Sequence, residues 1–330
     1  MKKYNAGIVG LGTYVPERIL TNIELESSLE TSDEWILSRT GIKERRIAAP
    51  EQAASDLALA AASAALENAR VSASEVDLII CATLTPDMFF PATGCIVQDR
   101  LGAKKAAAFD LEAGCSGFIY GLSVAQAFIA SGIYKTVLVI GTDVMSRIVN
   151  WRDRGTCVLF GDGAGAVVLK PVEQDQGILS VHLGADGSGA GTLLVPAGGS
   201  RMPLSQEVLD LNLQFIQMSG GDVFKFAVIA MCNATKHVLA GVGLETEDLG
   251  MLVPHQANTR IIESAAKRLK LPMDKVVVTV DRYGNNSTAS VPLALKEAVD
   301  DGRIKNGQNV VLVGFGAGLT WGAVLIRWVL

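Results

Sequence analysis

Two stretches of this chain repeat the same succession of elements about 170 residues apart, and that repeat limits the folds open to it. Ala113-Gly114-Cys115-Ser116 leads into a helical stretch closed by Ser131-Gly132 and the run Val137-Leu138-Val139-Ile140-Gly141. Tyr283-Gly284-Asn285-Asn286 leads into another, closed by Asp301-Gly302 and Val310-Val311-Leu312-Val313-Gly314. Gly114 to Gly284 and Gly132 to Gly302 share an offset of 170, which sets Cys115 opposite Asn285. Asp77-Leu78-Ile79-Ile80 matches Asp248-Leu249-Gly250-Met251 at 171, which sets His255 at the loop equivalent to Leu84. Any two Gly- and Val-rich stretches align somewhere, but several anchors in order at nearly one offset favour duplication. A period this long is one domain written twice rather than a solenoid repeat. The boundary is expected near residue 173, giving an N-terminal half, 1–173, and a C-terminal half, 174–330. The first half carries an extra segment, Thr142 to Phe160, and the second a Gly-rich loop, Gly184 to Arg201.

Short β-branched runs alternate with alanine-rich helical stretches, which predicts an α/β protein with buried sheets. The stretch Gly117 to Ala130 is apolar all round, so it is expected between two layers. Composition narrows the function. Hydrophobic residues make up 49% and charged residues 19%, which excludes a disordered chain. A net charge of -5 argues against a nucleic-acid footprint. Mean hydropathy is +0.32, yet the longest apolar runs are strand-sized, so no membrane span is expected. Met1-Lys2-Lys3 begins like a signal peptide, but Asn5, Gly7, Gly10 and Gly12 break any apolar region after it, so an unprocessed chain is expected. Five scattered cysteines without metal or disulfide spacing point to a reducing cytoplasm and to no metal site.

Cys115 stands out because it sits between a predicted strand, Ala107 to Leu111, and that buried helix. A helix N-terminus stabilises a thiolate, which predicts a lowered pKa. Cys81, Cys95, Cys157 and Cys232 lie in apolar segments and read as small buried hydrophobes. Among three histidines, His255 follows Met251-Leu252-Val253-Pro254 and precedes the predicted helix Thr259 to Leu269, where α/β proteins gather ligands. Gln256 and Asn258 are expected to orient its ring. His182 and His237 read as ordinary surface or satisfied residues. Asn285 is a turn or cap residue on its own, but its correspondence with Cys115 brings Cys, His and Asn toward one cavity. Gly10-Leu11-Gly12 lacks the third glycine of a dinucleotide fingerprint, and Gly161 to Gly165 leads into a strand, so no nicotinamide site is supported. The Cys, His, Asn order also fits a papain-like hydrolase, whose local signature is missing.

These motifs, in this order, resemble 3-oxoacyl-[acyl-carrier-protein] synthase III of the thiolase superfamily. The likeness runs through Thr31-Ser32-Asp33-Glu34-Trp35-Ile36, Arg39-Thr40-Gly41-Ile42, Ala113 to Phe118, Asp153-Arg154-Gly155-Thr156, Phe160 to Ala166, Pro254-His255-Gln256-Ala257-Asn258 and Gly284 to Ser287. It implies a five-layered αβαβα fold and an initiating condensation: Cys115 takes an acyl group from acyl-CoA, and malonyl-acyl-carrier-protein then extends it. His255 and Asn285 resemble the pair that holds the malonyl thioester carbonyl. The backbone amides of Cys115 and Ala317 resemble the oxyanion donors, although many relatives have Gly in place of Ala317. Trp35 and Arg154 resemble the pair that sandwiches the adenine of CoA, with Arg39 near its phosphates; otherwise Trp35 reads as a core aromatic. Phe90 resembles the residue that enters the partner subunit's acyl pocket, which implies a homodimer. Lys225, Arg260, Lys267, Arg268 and Lys270 resemble the patch that docks acyl carrier protein; Arg260, Lys267 and Lys270 share a helical face, which a solvated surface would also explain. CoA and the carrier enter as substrates, so no resident cofactor is implied. Asn286 replaces a frequent Thr, and Pro196 to Met218 is longer than in some members, bearing on the acyl pocket or dimer.

Rival readings are a relative serving polyketide or other secondary metabolism, a non-catalytic acyl- or carrier-binding homologue, and a cysteine hydrolase. The presence of Cys115, His255 and Asn285 together speaks against the non-catalytic homologue.

Overall fold

The computed structural model describes residues 4–330; Met1, Lys2 and Lys3, the basic start of the chain, lie outside the described residues. Five strands form a first sheet: β1 (Asn5–Tyr14), β2 (Leu78–Ala82), β3 (Ala107–Leu111), β4 (Val137–Val144) and β5 (Asp162–Val172), in the order β1-β5-β4-β2-β3. Four form a second: β6 (Gly177–Ala185), β7 (Met251–Pro254), β8 (Asn309–Gly316) and β9 (Thr320–Arg327), in the order β7-β8-β9-β6. The two sheets follow one plan. β2 runs parallel to β4, β4 antiparallel to β5, and β5 antiparallel to β1; β7, β8, β9 and β6 repeat those senses. Only β3 lacks a full counterpart, its place in the second sheet being held by a single bridge between Leu252 and Val276.

Both sheets are covered on both faces, which is why their strands read as unbroken apolar runs. Along β4, Val137 and Val139 face a central layer while Leu138 and Ile140 face an outer one. That central layer holds α4 (Gly117–Ala130) and α7 (Ser290–Asp300), packed among strands of both sheets. Outside the first sheet lie α2 (Ala54–Ala69) and α3 (Thr93–Leu101); outside the second lie α5 (Gly220–Ala240) and α6 (Thr259–Leu269). The result is the expected five-layered αβαβα stack, with α4 in its middle layer; Phe118, Ile119, Leu122, Ala125 and Ile129 are buried, but Ala127 and Ala130 are exposed, so the helix is not enclosed on every side. A short helix, α1 (Asp33–Thr40), is capped by the Ser32 side chain, and its Thr40 and Asn258 line the same cavity.

The Gly10-Leu11-Gly12 pair turns out to be a packing device. A Cβ on Gly10 would stand 2.6 Å from the Ala65 carbonyl oxygen, and one on Gly12 would run into the backbone of Ala61 and Ala65, so these positions let α2 lie directly on β1. Helix α5 is long and apolar enough to cross a membrane by length and composition, yet Ala227, Met231, Ala234 and Val238 are buried in one cluster with α6 and the outer face of the second sheet. Cys95 departs from expectation. It lies exposed on α3, because that helix turns Thr93, Gly94 and Val97 inward and the next residues outward.

Candidate functional site

The chain leaves β3 at Leu111 and makes a tight turn before α4. The Glu112 carboxylate accepts the Gly114 N–H at 2.9 Å, Gly114 takes a left-handed conformation at φ +55°, and Cys115 follows with 5% of its surface exposed. Ser116 Oγ lies 2.6 Å from the Ala113 carbonyl oxygen and 2.7 Å from Thr320 Oγ1, tying this turn to the second sheet. Gly316 backs onto the cysteine so closely that a Cβ there would stand 2.9 Å from the Cys115 Cβ. The backbone N–H groups of Cys115 and Ala317 converge on the sulfur. Even so, the expected lowering of the thiol pKa is reversed. Burial pushes Cys115 up to about 12, outweighing the Ser287 side chain and those amides, which lower it, with the nearby Asp143 carboxylate adding to the rise. The resting form is therefore the thiol.

His255 leaves the end of β7 with its N–H donated to the Val313 carbonyl at 2.8 Å. His255 is 1% exposed, and burial lowers its pKa to about 3, so the imidazole is neutral. The expectation that Gln256 and Asn258 orient this ring fails, because both side chains are occupied elsewhere. Gln256 donates to Pro254 and Val277 carbonyls and accepts from Thr279 and Val280 amides. Asn258 caps α6 by accepting from Arg260 N–H and donates to the Arg39 carbonyl. The ring is held instead by Ser290, whose Oγ lies 2.6 Å from Nδ1, and by the edge-on ring of Phe315, 5.0 Å away between centroids.

Asn285 is fixed twice over. Its N–H donates to the Leu159 carbonyl and its carbonyl accepts from Gly161 N–H, pinning it to the end of the extra segment. Its Oδ1 accepts the Ser287 N–H at 2.9 Å, which leaves Nδ2 as the polar atom turned toward the cavity. Asn286 donates from Nδ2 to the Asp162 and Tyr283 carbonyls and so braces the same turn.

Cys115, His255 and Asn285 line one cavity of about 290 Å³, together with Phe315 and Gly316. Trp35, Arg39 and Arg154 line it too, and both guanidinium groups face the indole, at 4.8 and 5.3 Å from the ring centroid. A second cavity of about 600 Å³ shares Cys115, Phe160 and Leu193 with the first. Its walls are mostly apolar and include Leu84, Met145, Leu194, Val195 and Ile216, so part of the Gly-rich loop and of Pro196 to Met218 shapes it. Phe90 is 84% exposed, beside a cleft that shares Leu84, Ile148 and Val195 with this cavity. Lys225, Arg260, Lys267, Arg268 and Lys270 are exposed on and beside α5 and α6. Lys270 lies past the end of α6 in a left-handed cap at φ +57°, so it leaves the helical face expected for it. His182 and His237 stack with centroids 3.9 Å apart, away from this cavity.

Three residues escaped the sequence reading. Ser290 carried no motif of its own. Asp143 is fully buried, and its carboxylate accepts from Thr83, Leu84, Thr85 and Thr288, joining the loop after β2 to the Asn285 turn. The signal was a lone acid within an apolar strand. Arg45 is also fully buried; it donates to the Leu20 and Val158 carbonyls and to Asn22 Oδ1, anchoring the segment that carries Arg154. Burial lowers its pKa to about 10.

Two sheets of one plan enclosing central helices, with a buried cysteine where two cavities meet, define a thiolase-like protein. The family model described as 3-oxoacyl-[acyl-carrier-protein (ACP)] synthase III matches residues 109–187, and its C-terminal counterpart matches residues 239–328. A beta-ketoacyl-[acyl-carrier-protein] synthase III of Caldanaerobacter subterraneus subsp. tengcongensis is 59% identical, with 99% of each chain covered. The crystal structure of 3-oxoacyl-[acyl-carrier-protein] synthase III from Aquifex aeolicus is similar at a TM-score of 0.91 and 47% identity, covering 98% of this chain and 100% of the other. The priming beta-ketosynthase of the R1128 polyketide pathway is similar at 0.91 and 37% identity, covering 99% and 97%. The chain belongs to the 3-oxoacyl-[acyl-carrier-protein] synthase III family.

Proposed function

We propose that this protein joins a short acyl-CoA starter to malonyl-acyl-carrier-protein, releasing CoA and carbon dioxide and initiating type II fatty acid synthesis. The observation that carries the reading is the convergence of Cys115, His255 and Asn285 on one cavity that shares Cys115, Phe160 and Leu193 with a larger, mostly apolar one. In the first half-reaction Cys115 Sγ bonds to the acyl carbon, the bond from that carbon to the CoA sulfur breaks, and the thiol proton leaves with CoA. In the second, the malonyl carboxylate departs as carbon dioxide and its electron pair moves onto the thioester oxygen. His255 and Asn285 donate to that oxygen; such a pair supplies roughly 3–4 kcal/mol when preorganised in a dry site. The enolate carbon then bonds to the acyl carbon, the carbon–sulfur bond to Cys115 breaks, and the sulfur regains a proton. The amides of Cys115 and Ala317 hold the oxyanion formed on the way.

In this reading residues 1–173 carry the nucleophile and 174–330 the donors. The adenine of CoA sits between Trp35 and Arg154 with Arg39 near its phosphates, and Lys225, Arg260, Lys267, Arg268 and Lys270 receive the acidic carrier. Phe90 reaches into the acyl cavity of the second subunit of a homodimer, which accounts for its exposure in the single chain. The enzyme works in the cytoplasm and uses its two thioesters as substrates, without a resident cofactor. The test is intact-protein mass after mixing wild type and Cys115→Ala with straight and branched acyl-CoAs, followed by malonyl-acyl-carrier-protein. An acyl increment on wild type alone, discharged as a 3-oxoacyl product, is expected. A product that persists in Cys115→Ala, or no increment with any starter, overturns the reading.

A further inference from the structure

A histidine meant to donate a hydrogen bond must hold its proton on the nitrogen that faces the substrate, and burial alone does not choose between the two ring nitrogens. Around His255 the choice is made by one hydroxyl. Ser290 Oγ has two partners, His255 Nδ1 at 2.6 Å and the Gln256 backbone N–H at 3.3 Å, and the whole group is buried. A backbone N–H only donates, so it occupies the oxygen as acceptor. The hydroxyl proton then has one acceptor within reach, the Nδ1 lone pair. Were Nδ1 protonated instead, the serine oxygen would accept twice and its own proton would be buried without a partner, an arrangement folded proteins avoid.

We propose that Ser290 is a positioning residue that fixes His255 as the neutral tautomer with its proton on Nε2. His255 then enters the cavity as a donor that has no lone pair to offer as a base. The same turn sets its companion, because the Ser287 N–H occupies Asn285 Oδ1 and leaves Nδ2 to donate. One segment of four residues, Ser287 to Ser290, thus presets both groups to meet a developing negative charge. That last consequence rests on the proposed condensation; the tautomer does not.

With three histidines in the chain, the tautomer is directly readable. Full-length protein labelled at histidine with the heavy nitrogen isotope is examined by long-range proton–nitrogen correlation, and the His255 pattern is assigned by its disappearance in His255→Gln. A protonated Nε2 with an unprotonated Nδ1 is expected in wild type and in Ser290→Thr, and loss of that single pattern in Ser290→Ala. A protonated Nδ1 in wild type, or an unchanged pattern in Ser290→Ala, overturns the proposal. Should Ser290→Ala fail to fold, the wild-type and Ser290→Thr patterns still decide it. In the reaction, Ser290→Ala is expected to slow malonyl decarboxylation roughly 10- to 100-fold more than it slows acylation of Cys115, with Ser290→Thr recovering most of the difference. An equal loss in both half-reactions marks a merely structural role and overturns it. If the spectrum is as expected while wild type makes no 3-oxoacyl product, the condensation reading fails and the tautomer assignment stands.

Discussion

The turn that carries Cys115 and the turn that carries Asn285 stand at matching places beside the two sheets, yet they are built for different work. After Cys115 the helix begins within two residues, at Gly117, and backbone N–H groups are left facing the sulfur. After Asn285 a single 3-10 turn, Ser287–Ala289, delays the helix until Ser290. That delay sends Ser287 into the left-handed region at φ +49°, a strained setting for a residue with a side chain, and aims its N–H at Asn285. Under the proposed condensation, one turn presents the atom that reacts and the other presents donors whose orientation is set in advance. The doubled scaffold supplies two positions facing one cavity, and the local hydrogen bonding after each decides what it does there.

Removing the proposed nucleophile tests the comparison hardest. Cys115→Ala is expected to abolish the acyl adduct and to cut condensation by roughly 10⁴-fold or more, measured by product mass spectrometry. A smaller loss with a persistent adduct would place the nucleophile elsewhere. On the donor side, His255→Ala and Asn285→Ala should each slow decarboxylation by roughly 10²–10³-fold while the adduct on Cys115 still forms. If either variant loses the adduct as well, the division of labour between the two turns collapses.

The neutral state of His255 also has a signature in stability. In the unfolded chain the imidazole gains a proton below its ordinary pKa of 6.5, whereas in the fold it stays neutral down to about 3. The unfolded state therefore binds more protons across that window, and stability falls as pH drops through it, by at most about 1.4 kcal/mol per unit. Buried Asp143 and Asp162 have raised pKa values, from burial first, and pull the other way. Denaturation midpoints of wild type and His255→Gln at several pH values isolate the histidine, the variant being expected to lose less stability between about pH 6 and pH 5. Parallel curves would mean that His255 is charged in the fold. The smallest effect concerns the outer end of the cavity. Trp35→Ala should raise KM for acyl-CoA roughly 5- to 30-fold with kcat little changed, as loss of a stacking platform predicts.

Much of this architecture was legible in the chain. Repeated Gly and strand anchors at an offset of 170 foretold two sheets of one plan, and the largely apolar stretch Gly117 to Ala130 foretold a central helix. The pairing of Cys115 with Asn285 across the repeat, and His255 at a strand end, brought the three main site residues together because each follows from strand and turn spacing, which is local. Protonation states were not legible: Cys115 is raised rather than lowered because enclosure by both halves outweighs a helix terminus two residues away. Nor was the partner of His255, since Ser290 lies 35 residues further on and reaches the ring only when α7 enters between the sheets. Spacing along the chain fixes which residues face one another across a repeat. Burial and hydrogen-bond direction depend on what the whole fold packs around each group, and those were settled only by the tertiary structure.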